Sequence, residues 1–429
     1  MVGSGFYLAP AAMAPYGLLA ILAWIVMGVG AVCLGLTFAR LARLAPATGG
    51  PYAYTRMAYG DFAGFLVAWG YWISIWASLP VMAAAVTGTM VRAMPALQGN
   101  RPALAAITLG AIWLVVITNL RGVKEAGLFA EAATAAKLIP FGAIAIAGLF
   151  YVHPEQLLVF NPSGESIWTA SAALAPLTMF AFLGLESATV PAGDVRDAET
   201  TIPRATVLGV MTAALLYVLG TTVVFGVVPR AQLAGSPTPL ADAARLMWGG
   251  TAAAATSIAV LISSLGALNG WTLLMGQVPM AAARDGLFPA LFGRRSSRGV
   301  PAVGILVSAV LATLLVLVEV SGAPGFQAFY ELVVGLSTMA AVIPYAFCAL
   351  AGALIAIPGE KQGDGERTGR LTIVEGVAFV FAVFTLYGCG PAAVLYGLLL
   401  LVCGIPVYVW QRHSVARVLR LSVADGRDR

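Results

Sequence analysis

Apolar residues run through this chain in long blocks separated by short connections. Eleven of the blocks reach the roughly 20 residues needed to cross about 30 Å of hydrocarbon as a helix. They fall at about 17 to 39, 64 to 91, 102 to 120, 127 to 151, 167 to 192, 206 to 229, 250 to 280, 300 to 320, 328 to 357, 371 to 389 and 391 to 411. Almost nothing remains for a soluble domain, so the pattern predicts an all-α membrane protein forming a single polytopic domain over residues 1–429. Composition agrees: 60% of the residues are hydrophobic, only 10% are charged, and the mean hydropathy is +0.90, outside the range of soluble domains. The first residues, MVGSGFYLAPAAM, are apolar but too short to span, and Pro15 and Gly17 follow them.

The net charge of +5 would raise nucleic-acid binding in a soluble protein, so the placement of the positive residues decides its meaning. Of 24 Lys and Arg residues, nineteen fall in alternate connections, among them Arg40, Arg56, Arg121, Arg196, Arg284, Arg294, Arg367 and Arg412. The other connections hold Arg92, Arg101, Arg230 and Arg245. By the positive-inside rule the first set is cytoplasmic, and so is the C-terminus. The charge reports topology in a cell inner membrane, and no nucleic-acid partner is expected. With the C-terminus inside and eleven full spans, the first full span starts outside. The expectation is therefore a truncated first helix, and a non-transporting, N-terminally truncated product is one reading of it.

Transporters built from inverted repeats hold substrate at the midplane between discontinuous helices, marked by Gly- or Pro-interrupted apolar segments in corresponding halves. Val2-Gly3-Ser4-Gly5 in the first segment and Phe182-Leu183-Gly184-Leu185-Glu186-Ser187 in the sixth lie five segments apart. That spacing fits a five-plus-five repeat, with a first repeat at about 1–151, a second at about 167–357 and accessory helices at about 371–411. Glycine lets the backbone unwind, and freed N–H and C=O groups can then meet a carboxylate and an ammonium. A close-packing glycine patch is the competing structural reading of each motif.

The motifs GSGFYLAP, PATGGPYAY, FLGLESATVPAG, NGWTLLMGQ, AARDGLFP and VIPYAFC resemble the amino acid/polyamine/organocation superfamily. The resemblance is strongest to the branch holding the bacterial arginine/agmatine, lysine/cadaverine and putrescine/ornithine antiporters. It implies a LeuT-like fold of twelve helices, frequently paired as a homodimer in the bilayer, transporting amino acids or related amines by alternating access with no cofactor. It further implies that Gly3, Ser4 and Gly5 hold a substrate α-carboxylate, and that carbonyls near Phe180, Leu183 and Gly184 meet its α-amino group. Trp271 would stack on the side chain, Ser74 and Ser337 would line the pocket, and Tyr71 with Glu186 would form a gate. This chain departs from the arginine antiporter's pattern at Phe180, Leu79, Ser74 and Ile75. Fewer partners then remain for a guanidinium, which weighs against strict arginine specificity. A permease or exchanger of broader range, with proton coupling as one mode, is the first reading. A specific arginine/agmatine-type or polyamine antiporter is the alternative.

Ionisable side chains within spans are costly, about 2.5–3.5 kcal/mol at a helix centre, so each calls for a reason. Glu319, Glu331 and Glu375 fall near helix ends and Glu131 is within snorkelling reach of one, so interface placement accounts for them. Glu186 is mid-span beside Gly184, poised as a proton-titratable gate or an anchor for broken backbone. Lys137 lies twelve residues past Glu125, roughly 18 Å deep. The resemblance implies that a lysine there takes the place of a bound sodium ion and bridges the first and eighth segments. Cys33, Cys348, Cys389 and Cys403 lie inside spans without metal-like spacing and read as small buried apolar residues. The two histidines, His153 and His413, fall in loops, and no nucleophile–base or metal-ligand constellation suggests an enzyme.

Overall fold

The computed structural model describes residues 3–44, 49–122, 139–190, 192, 195–320, 326–355 and 365–413. The described chain is helical. In order the helices are α1 (Ser4–Met13), α2 (Leu18–Leu44), α3 (Pro51–Tyr59), α4 (Asp61–Ala93), α5 (Arg101–Arg121) and α6 (Ile139–Tyr151). Next come α7 (Ile167–Phe182), α8 (Ala198–Val227), α9 (Pro239–Trp248) and α10 (Gly250–Arg284). The series ends with α11 (Ala302–Val320), α12 (Phe326–Leu354), α13 (Gly365–Gly388) and α14 (Gly390–Val402). Eight described helical stretches are long and apolar enough to cross a membrane, counting α7 through to Thr189 and α14 through to His413; α6, α11 and α13 contribute shorter apolar ones.

Burial separates protein-facing from lipid-facing positions that hydropathy leaves alike. On α2, Trp24, Ala31, Leu34 and Phe38 are fully buried, while Ile25, Val26 and Val29 are 48%, 67% and 58% exposed. Both faces are apolar because the bilayer and the bundle are both apolar solvents. Helix approach depends on small residues: methyls added at Gly28 and Gly35 of α2 would lie 3.5 Å from Ala214 and 3.1 Å from Val210 of α8. The helix α4 is the hub, packing on α10, α12, α5, α11 and α1, and its apolar window is 83% buried.

Two expectations change. Glu375 of α13 does not reach out to water: it is buried, 3% exposed, and its carboxylate meets Arg40 of α2 at 2.5 Å. The same guanidinium donates to the carbonyls of Gly352 (2.8 Å) and Ile355 (3.4 Å) at the end of α12. A cation at that C-terminus satisfies open carbonyls and complements the helix dipole, which explains why a carboxylate is tolerated indoors. Cys403 is exposed on the bundle surface, whereas Cys348 is buried. Lys137 and Glu131 lie outside the described residues.

Candidate functional site

The interruption in the sixth segment is visible in the backbone. The helix α7 ends at Phe182, Leu183 turns to an extended ψ of 139°, and Gly184 adopts φ 92°, a conformation that L side chains rarely take. A short 3₁₀ turn, Ser187–Thr189, follows. The broken stretch is stitched locally. The Gly184 carbonyl accepts from the Ser187 amide (3.1 Å) and hydroxyl (2.6 Å), and the Glu186 carbonyl accepts from the Thr189 amide (2.8 Å) and hydroxyl (2.7 Å). The Ala181 carbonyl accepts from the Tyr217 hydroxyl of α8 at 2.9 Å. Among the described residues no donor reaches the Leu183 carbonyl.

The helix α1 starts at Ser4 with Gly3 extended at its N-cap (φ −170°), and the Phe6 amide turns back to the Gly3 carbonyl at 3.0 Å. The start of α1 and the broken end of α7 touch. A methyl built on Gly5 would lie 3.1 Å from both the Ala181 Cα and the Phe180 ring, so glycine is what lets α1 approach the end of α7. Behind this contact Phe6 stacks on Tyr217 with ring centroids 4.7 Å apart, and Tyr7 stacks on Phe141 at 4.8 Å. The Tyr7 hydroxyl also hydrogen-bonds Ser263 of α10, a direct link between the first and eighth segments that sequence reasoning missed.

Glu186 is fully buried and holds three helices together. The Tyr71 hydroxyl of α4 donates to its Oε1, and the Tyr345 hydroxyl of α12 donates to its Oε2. The Tyr71–Glu186 pair was anticipated and Tyr345 was not, although it stands in the VIPYAFC stretch beside Pro344. The remaining anticipated residues are buried on the flanking helices: Trp271 on α10 is 8% exposed, and Ser74 on α4 and Ser337 on α12 are fully buried. Both serine hydroxyls donate to carbonyls of their own helices, Ser74 to Tyr71 at 2.8 Å and Ser337 to Val333 at 2.7 Å, which leaves their oxygens as acceptors. Leu79 and Ile75 are fully buried and offer no polar partner. Among the described residues no hydrogen bond joins Trp271, Ser74 or Ser337 to the Gly3–Gly5 turn.

Charged contacts close the bundle on either side of this centre. On one side Arg92 of α4 meets Asp242 of α9 at 2.5 Å and the Thr238 hydroxyl at 2.8 Å. These contacts hold α9 over a cavity of about 10 Å³, room for roughly one water, lined by Tyr7, Leu8, Thr89, Thr238, Ser257 and Val260. On the other side Arg56 of α3 bridges Asp61 (2.9 Å) and Asp285 (2.8 Å), where Asp285 follows α10. Tyr52 donates to Asp285 at 2.7 Å, and Arg412, in the stretch continuing α14, meets Asp61 at 3.0 Å. The hydrogen bond from Arg56 to Asp61 is the main cause that holds its guanidinium above the usual arginine range; burial, then the Asp285 hydrogen bond, pushes the Tyr52 phenol up. Among the described residues no cluster of His, Cys, Asp and Glu could hold a metal ion.

Comparison with known proteins agrees with this architecture. The chain is 30% identical over 432 residues to the arginine/ornithine antiporter of Pseudomonas aeruginosa, covering 97% of this chain and 89% of the relative. It is 28% identical to the putrescine transporter PotE of Haemophilus influenzae, covering 95% and 93%, and 28% identical to the L-lysine transport protein of Corynebacterium glutamicum, covering 91% and 82%. Among solved structures, the manganese transporter of Eremococcus coleocola, determined with an aromatic bis-isothiourea compound, superposes with a TM-score of 0.59 at 11% identity, covering 97% and 94% of the two chains. That likeness concerns the fold: an all-helical, LeuT-like bundle. A family profile described as amino acid permease matches residues 1–407, and the chain belongs to that family of multi-pass membrane transporters.

Proposed function

We propose that this permease moves amino acids with a cationic side chain, by alternating access, across the inner membrane with its C-terminus cytoplasmic. The observation that carries the proposal is the contact of Gly5 with Phe180 and Ala181, which sets the start of a helix against the open end of another. Amides at Gly3, Ser4 and Gly5 meet the α-carboxylate with the help of the helix dipole. The unengaged Leu183 carbonyl and its neighbours near Phe180 and Gly184 meet the α-ammonium. Trp271 stacks on the cationic side chain, with Ser74 and Ser337 as acceptors alongside. Tyr71 and Glu186, now with Tyr345, act as the gate, and Lys137 supplies a titratable positive charge in place of sodium. The named relatives transport arginine, ornithine, lysine and putrescine, which favours a basic substrate. The halves 1–151 and 167–357 form the inverted repeats.

A polyamine carrier is the second reading, favoured by the similarity to the putrescine transporters. Uptake of labelled arginine, lysine, ornithine, leucine and putrescine into proteoliposomes, with and without internal substrate and a pH gradient, separates the two. A substrate with both α-groups and a cationic side chain should win. If putrescine, which lacks a carboxylate, is taken up as well as ornithine, the assignment of the Gly3–Gly5 turn is wrong.

A further inference from the structure

The connection from α10 to α11 carries chemistry that substrate transport does not use. With Arg284 at the end of α10, it presents Arg294, Arg295 and Arg298 within fifteen residues, all four exposed. Among the described residues no carboxylate pairs with any of the four. The one acid in the loop, Asp285, is engaged by Arg56 and Tyr52. Loops that obey the positive-inside rule need only carry charge; this one is also built. Phe288 is fully buried among Phe65, Trp69 and Trp72 of α4, with ring centroids 5.6, 5.6 and 6.1 Å away. Phe292 packs edge-on to Trp72 at 5.9 Å.

Between these anchors and α11 the chain closes a tight turn. The Ser296 amide donates to the Val300 carbonyl (2.8 Å), the Val300 amide to the Ser296 hydroxyl (3.3 Å) and the Gly299 amide to the Ser296 carbonyl (2.9 Å). Gly299 takes φ 76°, and the turn holds Arg298 at its tip. On the 3₁₀ turn Ala290–Gly293, Leu291 is 53% exposed beside the arginines. We infer that this loop is a pre-ordered docking surface for the headgroups of anionic phospholipids, with Leu291 entering the acyl boundary and the guanidiniums taking phosphates.

Charge complementarity selects that occupant. An anionic leaflet is a dense sheet of phosphates at the level of helix ends, Arg binds phosphate through a fork of donors, and each basic residue near such a surface adds attraction. The topology proposed above turns the loop to the cytoplasmic leaflet. The adjacent Asp285 is held by Arg56 and Tyr52 of α3, so lipid held here bears on α10 at the point where α3 is tied to it.

The test titrates fluorescent phosphatidylglycerol into the full chain in a neutral detergent, with phosphatidylcholine as the reference. Replacing Arg294, Arg295 and Arg298 with Gln should weaken phosphatidylglycerol binding roughly a hundredfold, taking about a factor of five per arginine. The triple Lys replacement, which keeps the charge and loses the fork, should weaken binding less than the Gln replacement; a loss equal to that of the Gln variant would overturn the role of charge. Arg43→Gln with Arg204→Gln, exposed elsewhere in the same set of connections, should change little. For the unmodified chain, phosphatidylglycerol vesicles and not phosphatidylcholine vesicles should slow tryptic cleavage between residues 294 and 298; this arm does not depend on any variant folding. Retained binding in the Gln variant, an equal loss in the Arg43/Arg204 variant, displacement by inorganic phosphate at matching concentration, or cleavage indifferent to lipid would each overturn the proposal.

Discussion

The two tyrosines on Glu186 make a quantitative test of how the helices around the broken segment are held. Each phenol donates to a different oxygen of one carboxyl, and the whole side chain is out of solvent. Tyr71→Phe or Tyr345→Phe removes one of the two phenol donors to this buried carboxyl. Hydrogen bonds to charged groups are worth about 1.5–3 kcal/mol, so each single variant should lose about that much stability. The two donors share one acceptor group, so the double variant should depart from additivity by about 0.5–3 kcal/mol. Reversible unfolding in mixed micelles gives the stability of the four proteins, and proteoliposome uptake gives their transport rates. The proposed gate role predicts a functional loss in the rate more than in substrate affinity, since the Gly5 contact lies with Phe180 and Ala181. Additive stability losses would refute the shared clamp. A Tyr345→Phe protein with normal stability and normal uptake would remove α12 from the gate altogether.

Further expectations concern the substrate end and the opposite latch. Gly5→Ala puts a methyl 3.1 Å from backbone at Ala181, an overpacking cost of about 1–3 kcal/mol; competition binding should show substrate affinity roughly ten- to a hundredfold weaker, and unchanged affinity would contradict the contact. Trp271→Leu should weaken a basic substrate by about 0.5–2 kcal/mol and leucine by less, so equal losses would make Trp271 a packing residue. The pKa of Arg56 is raised, so whatever stability its ionic contacts add is fully present below its unfolded value and persists across the physiological range. Its side chain is 35% exposed, and each contact adds no more than about 0.2–1 kcal/mol. Arg56→Gln should therefore relax closure at that end of the bundle by a similar amount at pH 6 and pH 8, judged by cysteine accessibility; a defect confined to one of those pH values would refute this.

Sequence alone carried the fold because spans announce themselves by length, and it carried the break in the sixth segment because Gly184 interrupts it. It could not tell which face of a span meets protein. Val29 and Ala31 are equally at home in a core or in lipid, and only the structure shows Val29 outside and Ala31 inside. The same blindness explains the residues that were missed. Tyr345 and Tyr7 act through hydroxyls whose partners, Glu186 and Ser263, lie 159 and 256 residues away, and a tyrosine within an apolar run carries no local sign of such a partner. Glu375 was misjudged for the converse reason. Closeness to a helix end suggested water, yet Arg40, 335 residues distant, had already filled that end and made a buried carboxylate affordable. The legible part of the site is thus the part that breaks helical regularity within one segment. The illegible part is polar groups that leave their own helix intact and are satisfied across a helix–helix contact, which is where alternating access has to make and break its bonds. Resemblance to a family reached across that gap at Tyr71–Glu186, where the pair is part of the family's pattern, and stopped one tyrosine short.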